Sequence, residues 1–210
     1  MYSDTGCSPL YLASASPRRS ALLTQVGIVH QQFGCSIDES VLAGEAAEHY
    51  VARVTRAKAV AGQAQVPHGA VVLAADTVVV VDGRILGKPL DEGHAATMLR
   101  ALSGRVHRVM TAVAVASAER MKVVRVDTQV FFRPIEEPEI TAYWATGEPA
   151  DKAGGYAIQG LGAVFVSAIE GSYSAVVGLP LPETVQLLAE YGIGYWQGLE
   201  AENASGSSQA

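Results

Sequence analysis

Cysteine is scarce in this sequence, and its scarcity excludes several classes of protein. Two cysteines, Cys7 and Cys35, occur among 210 residues, and they lack the spacing of a metal-binding cluster. Without a set of histidine and cysteine ligands, a zinc site is not expected. The two thiols are typical of a reduced, cytoplasmic chain. None of the five histidines lies beside a nucleophile in an arrangement that indicates a catalytic triad.

Positive charge and long apolar runs are also limited. Lysine and arginine together number 15 against 21 acidic residues, a formal net charge of −6, which argues against a nucleic-acid coat or a basic membrane-surface protein. The longest apolar run, residues 70–81, contains an aspartate and is too short to span a bilayer. The first residues lack the basic start and apolar core of a signal peptide. We therefore expect a cytoplasmic protein that binds neither nucleic acid nor membrane.

The common nucleotide-binding fingerprints are missing as well. No Gly-x-Gly-x-x-Gly segment follows a predicted strand, so a nicotinamide or flavin enzyme is not expected. Lys88 does not belong to a Walker A loop, because Asp82 takes the place of its first glycine and Pro89 follows where Ser or Thr is needed. A nucleotide, if one binds, must be held by other motifs.

Strand and helix patterns alternate along the rest of the chain. Strands are predicted at 9–14, 31–35, 71–81, 84–86 and 164–169, and a hairpin at 106–117 and 121–132. Helices are predicted at 17–26, 45–63, 91–102, 136–146 and 182–191. This order predicts an α/β fold with a mixed sheet. We expect one domain over 9–200, between a loose leader (1–8) and a disordered tail (201–210).

The turn between the first strand and the first helix is a candidate anion site. Ser14 and Ser16 lie in the turn, Ser16 is a good N-cap, and Pro17 is favoured at the first helical position. Free N–H groups and the positive end of the helix dipole attract anions there. Because Arg18 and Arg19 oppose that dipole, we expect a negative ligand, and phosphate is the natural candidate. The alternative is a capped surface helix with two solvated arginines.

Two carboxylates stand out. Asp76 lies inside the apolar strand, and an unpaired buried carboxylate is costly or becomes protonated. It therefore needs a metal ion, a basic partner or a place at the mouth of a cleft, which we favour over a purely structural aspartate. Glu39 follows a strand on a loop and could supply a second oxygen ligand, although acidic loop residues are mostly solvated.

Lys58 interrupts the apolar stripe of the long second helix. That stripe is formed by Ala47, Val51, Val54 and Ala61. A lysine can extend its charged end out of such a position into solvent, which is one interpretation. The other is a lysine turned towards an anion in a cleft.

Three further residues are candidates for a role at the site. Lys88 lies in a stiff turn between a glycine and a proline. Gln159, in the glycine-rich segment 150–162, offers an amide that can read the edge of a base, and the glycines would let the backbone approach a ligand; a plain surface loop is the alternative. His107 could be a catalytic acid, but a hydrogen-bonded structural histidine is favoured.

These candidates combine four cations with two hard oxygen donors: Arg18, Arg19, Lys58, Lys88, Asp76 and Glu39. Lysine and arginine bind phosphate oxygens, and carboxylates bind Mg²⁺ or Mn²⁺. The set therefore suits a polyphosphate held together with a divalent metal.

Seven segments, in order along residues 9–192, resemble the Maf nucleoside triphosphate pyrophosphatase family. They are Ser14–Arg19, Asp38–Glu39, the helix around Lys58, Ala75–Val78, Gly87–Pro89, Ser103–Thr111 and Asp151–Gly160. The resemblance implies an ITPase-like fold with a twisted mixed sheet flanked by helices, and two lobes around an active-site cleft. It also implies a homodimer that uses a divalent metal to cleave a nucleoside triphosphate between its α- and β-phosphates.

The resemblance also implies roles for individual residues. Asp76 corresponds to the proton acceptor, and the residues around phosphate and metal correspond to Ser14, Arg19, Glu39, Lys58 and Lys88, with Glu39 and Asp76 as metal ligands. Arg18, Thr77 and Gln159 fall at three specificity positions and resemble the branch that acts on dTTP and UTP, whereas the branch that prefers 7-methyl-GTP tends to carry Trp, Gln and Glu. A non-catalytic nucleotide-binding regulator of cell division is the main alternative, and a nucleotidyltransferase is a weaker one.

Overall fold

The computed structural model describes residues 8–196. Within them the α-helices are α1 (Pro17–Gln25), α2 (Ala47–Gln63), α3 (Glu92–Leu102), α4 (Glu137–Ala145), α5 (Tyr173–Val177) and α6 (Leu181–Ala189). Three short 3-10 helices lie at Glu148–Asp151, Ala153–Gly155 and Leu161–Phe165. The strands are β1 (Leu10–Ala13), β2 (Gln31–Phe33), β3 (Val71–Val81), β4 (Arg84–Leu86), β5 (Val106–Ala116), β6 (Met121–Phe132) and β7 (Val166–Glu170). The predicted tail, and all but the last residue of the predicted leader, lie outside the described residues.

All seven of these strands form one mixed sheet. Its order is β2-β1-β3-β5-β6-β7, and β4 also pairs with β3. β1 is parallel to β2 and β3, whereas the remaining pairs are antiparallel. The mixed α/β fold and the hairpin of β5 and β6 are therefore confirmed.

The central strand β3 has a gap along one edge. β1 pairs with Val71–Leu73 and β4 pairs with Val79–Val81 on that edge, while β5 pairs with β3 from Val72 to Val80 on the other. Residues 74–78 thus lack a neighbouring strand on one side. Asp76 and Thr77 lie in this gap.

Buried apolar clusters cover both faces of the sheet. On each face, one cluster ends and another begins near the gap in β3. The first half of β3 contributes Leu73 to one cluster and Ala74 to a second on the opposite face. The second half contributes Val79 and Val78 to two further clusters. Because successive strand side chains point to opposite faces, each half of β3 is covered on both sides, and the gap separates two lobes.

Several elements differ from the sequence-based expectation, and most of their bounds shift by one or two residues. Helix α5 was not predicted, since its five residues carry too short a pattern, and β7 begins two residues after the predicted start. In α2, Ala61 is only partly buried, whereas Ala59 and Gly62 are buried. Gly62 permits close packing on the sheet, because a Cβ there would lie 2.8 Å from the Cβ of Ala13.

No helix in residues 8–196 combines the length and the apolar character that crossing a membrane requires.

Candidate active site

A cleft of about 540 Å³ opens at the gap in β3. All nine residues predicted for the site line it: Ser14, Arg18, Arg19, Glu39, Lys58, Asp76, Thr77, Lys88 and Gln159. They come from six separate stretches of the chain, and the sheet topology brings these stretches together.

On the α2 side of the sheet, Lys58 joins the two predicted carboxylates. Its Nζ lies 2.7 Å from Asp76 Oδ1 and 3.0 Å from Glu39 Oε1. The side chains of Lys58 and Asp76 are each 11% exposed, whereas that of Glu39 is 50% exposed. The lysine is thus turned into the cleft, as one of the two interpretations held, and Asp76 has the basic partner that its burial required.

The loop that carries Glu39 is held by two side chains of α2. Tyr50 donates its hydroxyl to the Glu39 carbonyl at 2.9 Å, and Arg53 Nη2 donates to the Ser40 carbonyl at 2.8 Å. Burial, together with the charges of Asp76 and Glu39, raises the pKa of Tyr50 to about 12. Tyr50 therefore stays protonated at neutral pH and remains a donor.

On the opposite side, Arg19 is buried and bonded to protein atoms. Nε donates to the Gly178 carbonyl at 2.8 Å, Nη1 to Ser14 Oγ at 2.9 Å and Nη2 to Thr77 Oγ1 at 3.2 Å. Burial lowers the pKa of Arg19, and the Asp76 carboxylate partly opposes this effect. The alternative of two solvated arginines on a surface helix is wrong for Arg19.

The turn before α1 is fixed by side chains from elsewhere. Ser14 Oγ accepts from Arg19 and, at 3.3 Å, from the Ser16 backbone N–H. Gln32 Nε2 donates to the carbonyls of Ser14 and Ser16 at 2.8 and 3.0 Å. Ser16 occupies the N-cap position, but its side chain makes no cap hydrogen bond. Because Ser14 Oγ already accepts two bonds, its own proton is left as a donor.

Arg18, which precedes Arg19 in α1, has a single, longer contact with an acidic side chain. Its Nη1 is 3.8 Å from Asp151 Oδ2, and Lys152 also pairs with Asp151. Partial burial opposes ionisation of Asp151, but Lys152 and Arg18 outweigh it and lower the pKa of this carboxyl. Arg18 and Lys152 both line the cleft, so an anion there could compete with Asp151 for these cations.

Lys88 and Gln159 approach the cleft on exposed loops. Among residues 8–196, Lys88 forms no ion pair closer than 4.0 Å. Its loop is joined to the glycine-rich segment, because the Gly154 N–H donates to the Gly87 carbonyl at 2.9 Å.

Two side chains behind the cleft hold the loop that carries Gln159. Glu148 accepts from the backbone N–H groups of Leu161 and Gly162, both at 2.9 Å, and from the Tyr143 hydroxyl at 2.7 Å. Tyr143 Oη in turn accepts from the Ala157 N–H at 3.1 Å. Partial burial opposes ionisation of Glu148, but these hydrogen bonds keep its pKa below the usual range.

The glycines of this segment serve packing against protein atoms. A Cβ at Gly160 would lie 2.0 Å from Glu148 Oε2, and one at Gly154 would lie 3.0 Å from the Val79 side chain. From the sequence, these glycines were expected to let the backbone approach a ligand. At these two positions they instead let the backbone approach side chains of the protein itself.

His107 is a structural histidine, as favoured. It is 2% exposed, its Nε2 lies 2.8 Å from Tyr156 Oη, and its ring packs edge-on against Phe132. Burial lowers its pKa to about 4. The ring is therefore neutral at physiological pH.

No role was predicted for Tyr50, Thr111 or Gly178, although Thr111 ends the segment Ser103–Thr111 that resembles the family. Thr111 Oγ1 lies 2.9 Å from Thr77 Oγ1 and donates to the Ala175 carbonyl at 2.7 Å. Gly178 (φ 131°) gives its carbonyl to Arg19. Each lies in an ordinary strand, helix or turn pattern, so no local signal marks it.

A metal site would need atoms beyond the protein. No group of three His, Cys, Asp or Glu side chains suited to a metal ion occurs among residues 8–196. Glu39 and Asp76 nevertheless converge on one Lys58 Nζ. Mg²⁺ is commonly held by one or two carboxylates together with substrate phosphates and water, so this pair fits such an ion.

The fold and the cleft define a mixed α/β protein whose cleft is lined by carboxylates and cations. More specifically, the chain belongs to the Maf family, because the family model described as "Maf-like protein" matches residues 9–191. The resemblance drawn from the motifs is confirmed.

Curated relatives cover nearly the same region. Over 182 residues, 87% of this chain and 92% of each relative, the chain is 54% identical to a protein of Salmonella typhimurium and 51% identical to one of Escherichia coli O157:H7. Both are named "dTTP/UTP pyrophosphatase".

Two solved structures show partial similarity. One is a nucleoside-triphosphatase / dITP/XTP pyrophosphatase of Mycobacterium abscessus (17% identity, TM-score 0.38, covering 59% of this chain and 72% of that one). The other is the Staphylococcus aureus Ham1 protein (14% identity, TM-score 0.39, covering 60% and 72%).

Proposed function

We propose that this protein is a metal-dependent nucleoside triphosphate pyrophosphatase that hydrolyses dTTP and UTP, and modified pyrimidine triphosphates, to the monophosphate and pyrophosphate. The observation that carries the proposal is the bridge from Lys58 to Asp76 and Glu39 in the cleft. The names of the relatives support the reaction and the substrates.

Asp76 is the proposed proton acceptor. A water molecule forms a bond to the α-phosphorus, its proton passes to the Asp76 carboxylate, and the bond to the β-phosphate breaks to release pyrophosphate. Lys58, 2.7 Å away, holds the carboxylate in place. General-base catalysis of this kind contributes about 10² to 10⁴ in rate.

Glu39 and Asp76 would hold Mg²⁺ or Mn²⁺ together with phosphate oxygens of the substrate. A divalent ion bound there would lower the pKa of a coordinated water and neutralise charge on the phosphates. Glu39 is half exposed, so its carboxylate can move towards such an ion at little cost.

The phosphates are proposed to lie between the turn before α1 and Lys88. Ser14 offers its free proton, and Lys88 offers a charge without a competing partner among the described ion pairs. Arg19 donates hydrogen bonds from Nε and from both terminal nitrogens to Gly178, Ser14 and Thr77. It therefore acts mainly by orienting Ser14 and by its positive charge.

The base is proposed to be read by Arg18, Thr77 and Gln159. All three line the cleft, and none is part of the Lys58 bridge. We also propose, from the family resemblance, that the domain of residues 9–200 works as a homodimer in the cytoplasm.

The test is pyrophosphate release from a panel of triphosphates with Mg²⁺, Mn²⁺ or EDTA. We expect release from dTTP and UTP with either metal, little from CTP or dGTP, and none with EDTA. Binding of dTTP without release would instead support a nucleotide-binding regulator, and a nucleotide-labelled acceptor product would support a nucleotidyltransferase.

A second experiment tests the specificity positions. The double variant Arg18→Trp, Gln159→Glu should shift the preference towards 7-methyl-GTP. Unchanged selectivity in a variant that still cleaves dTTP would contradict the roles assigned to these two residues.

A further inference from the structure

A chain of hydroxyl groups fixes the direction of one hydrogen bond in the cleft. Thr111 Oγ1 lies 2.7 Å from the Ala175 carbonyl, which can only accept, so Thr111 gives its single proton to Ala175. The 2.9 Å contact between Thr111 Oγ1 and Thr77 Oγ1 must then use the proton of Thr77. Thr77 donates and Thr111 accepts.

Thr77 is consequently left as an acceptor towards the cleft. Its proton is used by Thr111, and one lone pair accepts from Arg19 Nη2 at 3.2 Å, a group that can only donate. A hydroxyl oxygen has two lone pairs, so one remains. Thr77 lines the cleft, and a ligand group that bonds to it must bring a proton.

Thr111 sets this direction without touching the ligand. It is fully buried, it does not line the cleft, and it stands opposite Thr77 in the pairing of β5 with β3. Ala175 lies in α5, whose N-cap Ser172 accepts from the Ala175 N–H at 3.2 Å and donates its own N–H to Thr128 Oγ1 at 3.0 Å. The carbonyl that takes the Thr111 proton is therefore held on a fixed segment.

We propose that Thr111 is a positioning residue that makes Thr77 a reader of the N3–H group of the pyrimidine. This rests on the proposed function. A uracil or thymine base joined to its sugar has one N–H donor, N3–H, whereas O2 and O4 accept. Cytosine carries a lone pair at N3, which would face the lone pair of Thr77. The arrangement accepts uracil and thymine and rejects cytosine.

The first test needs no variant. The wild-type protein is assayed for kcat and KM with UTP, CTP and N3-methyl-UTP, which lacks the N3 proton. We expect kcat/KM for both analogues to fall by about tenfold or more, the usual cost of leaving one polar group unpaired. If the protein cleaves UTP and N3-methyl-UTP equally well, the inference is overturned while the proposed function stands. If it cleaves neither UTP nor dTTP, both fall.

The second test changes the direction of the bond. Thr111→Val removes the acceptor of the Thr77 proton, which can then be donated to N3 of cytosine. The preference for UTP over CTP should fall by about tenfold, whereas N3-methyl-UTP should remain a poor substrate. Thr111→Ser should restore the wild-type preference, because serine keeps the hydroxyl.

The matched control is Thr184→Val. Thr184 is also a fully buried threonine, but it lies in α6 and its hydroxyl oxygen has no hydrogen-bond partner in the described part of the chain. Its UTP to CTP ratio should stay within about twofold of the wild type. A folded Thr111→Val protein with an unchanged ratio, or an equal change in Thr184→Val, overturns the inference.

Discussion

Asp76 and Thr77 are adjacent in β3, but they face opposite sides of the sheet and lie in different surroundings. Asp76 faces α2 and meets a lysine that also binds Glu39. Thr77 faces α1 and α5 and meets Arg19 and Thr111. The alternation of strand side chains thus gives one short gap in the sheet two different half-sites.

The two half-sites differ in how many of their groups are free for a ligand. On the α2 side, Glu39 is half exposed. Its carboxylate can therefore turn from Lys58 to a metal ion or to a group of the substrate. On the α1 side, Arg19 and Thr111 are buried and bonded to protein atoms. We infer that the first side carries the chemistry and the second positions the substrate, so that substitutions should affect activity on one side and stability on the other.

The largest effect on activity is expected for Asp76→Asn. The amide cannot accept the proton of the attacking water, so kcat should fall by about 10³-fold, with little change in the melting temperature. Pyrophosphate release and thermal unfolding measure the two effects. Asp127→Asn, which removes an exposed carboxylate paired with Arg125, is the control and should retain activity. Substantial turnover by Asp76→Asn would contradict the inference that the α2 side of the sheet carries the chemistry.

Lys58→Met should also act mainly on activity. Without the lysine, Asp76 and Glu39 repel one another and Asp76 loses its positioning partner, so kcat/KM should fall by about 100-fold. A titration with Mg²⁺ at constant dTTP would measure the loss and any recovery at high metal. Arg56→Met, on the exposed side of the same helix, is the control. Activity equal to wild type at all metal concentrations would show that the bridge is dispensable.

Arg19→Lys should act on stability as well as on activity. A lysine cannot replace three bonds made by a planar guanidinium, so the free energy of unfolding should fall by about 3 kcal/mol. Urea denaturation measures this loss. Arg18→Lys changes a single contact, the 3.8 Å pair with Asp151. Its free energy of unfolding should fall by less than about 0.5 kcal/mol. Equal losses in the two variants would contradict a scaffolding role for the α1 side.

Tyr50→Phe should give the smallest effect. It removes the hydrogen bond to the Glu39 carbonyl but leaves every charged group in place, so KM should rise by about threefold and kcat should change less. Steady-state kinetics with dTTP at saturating Mg²⁺ measures both. A fall in kcat as large as that of Lys58→Met would mean that Tyr50 takes part in the chemistry.

The sequence indicated a residue most clearly where it broke a pattern. Asp76 in an apolar strand and Lys58 on an apolar helix stripe both proved to lie at the cleft, because a charge in such a place needs a partner. Thr111 and Tyr50 agree with the strand and helix patterns around them, so their contacts could not be predicted. The segment of α5 was missed because five residues are too few for a periodic signal.

By itself, the sequence determined the order of the strands and of every described α-helix except α5, the family and the identities of the nine candidate residues, since these depend on local pattern and on motifs. The tertiary structure alone decided which residues meet. The gap between β1 and β4 is produced by strand pairing across distant segments, and it exposes Asp76 and Thr77 on opposite faces. The direction of the hydrogen bond from Thr77 to Thr111 depends on a carbonyl of α5, 64 residues further along the chain, which only the fold brings into contact.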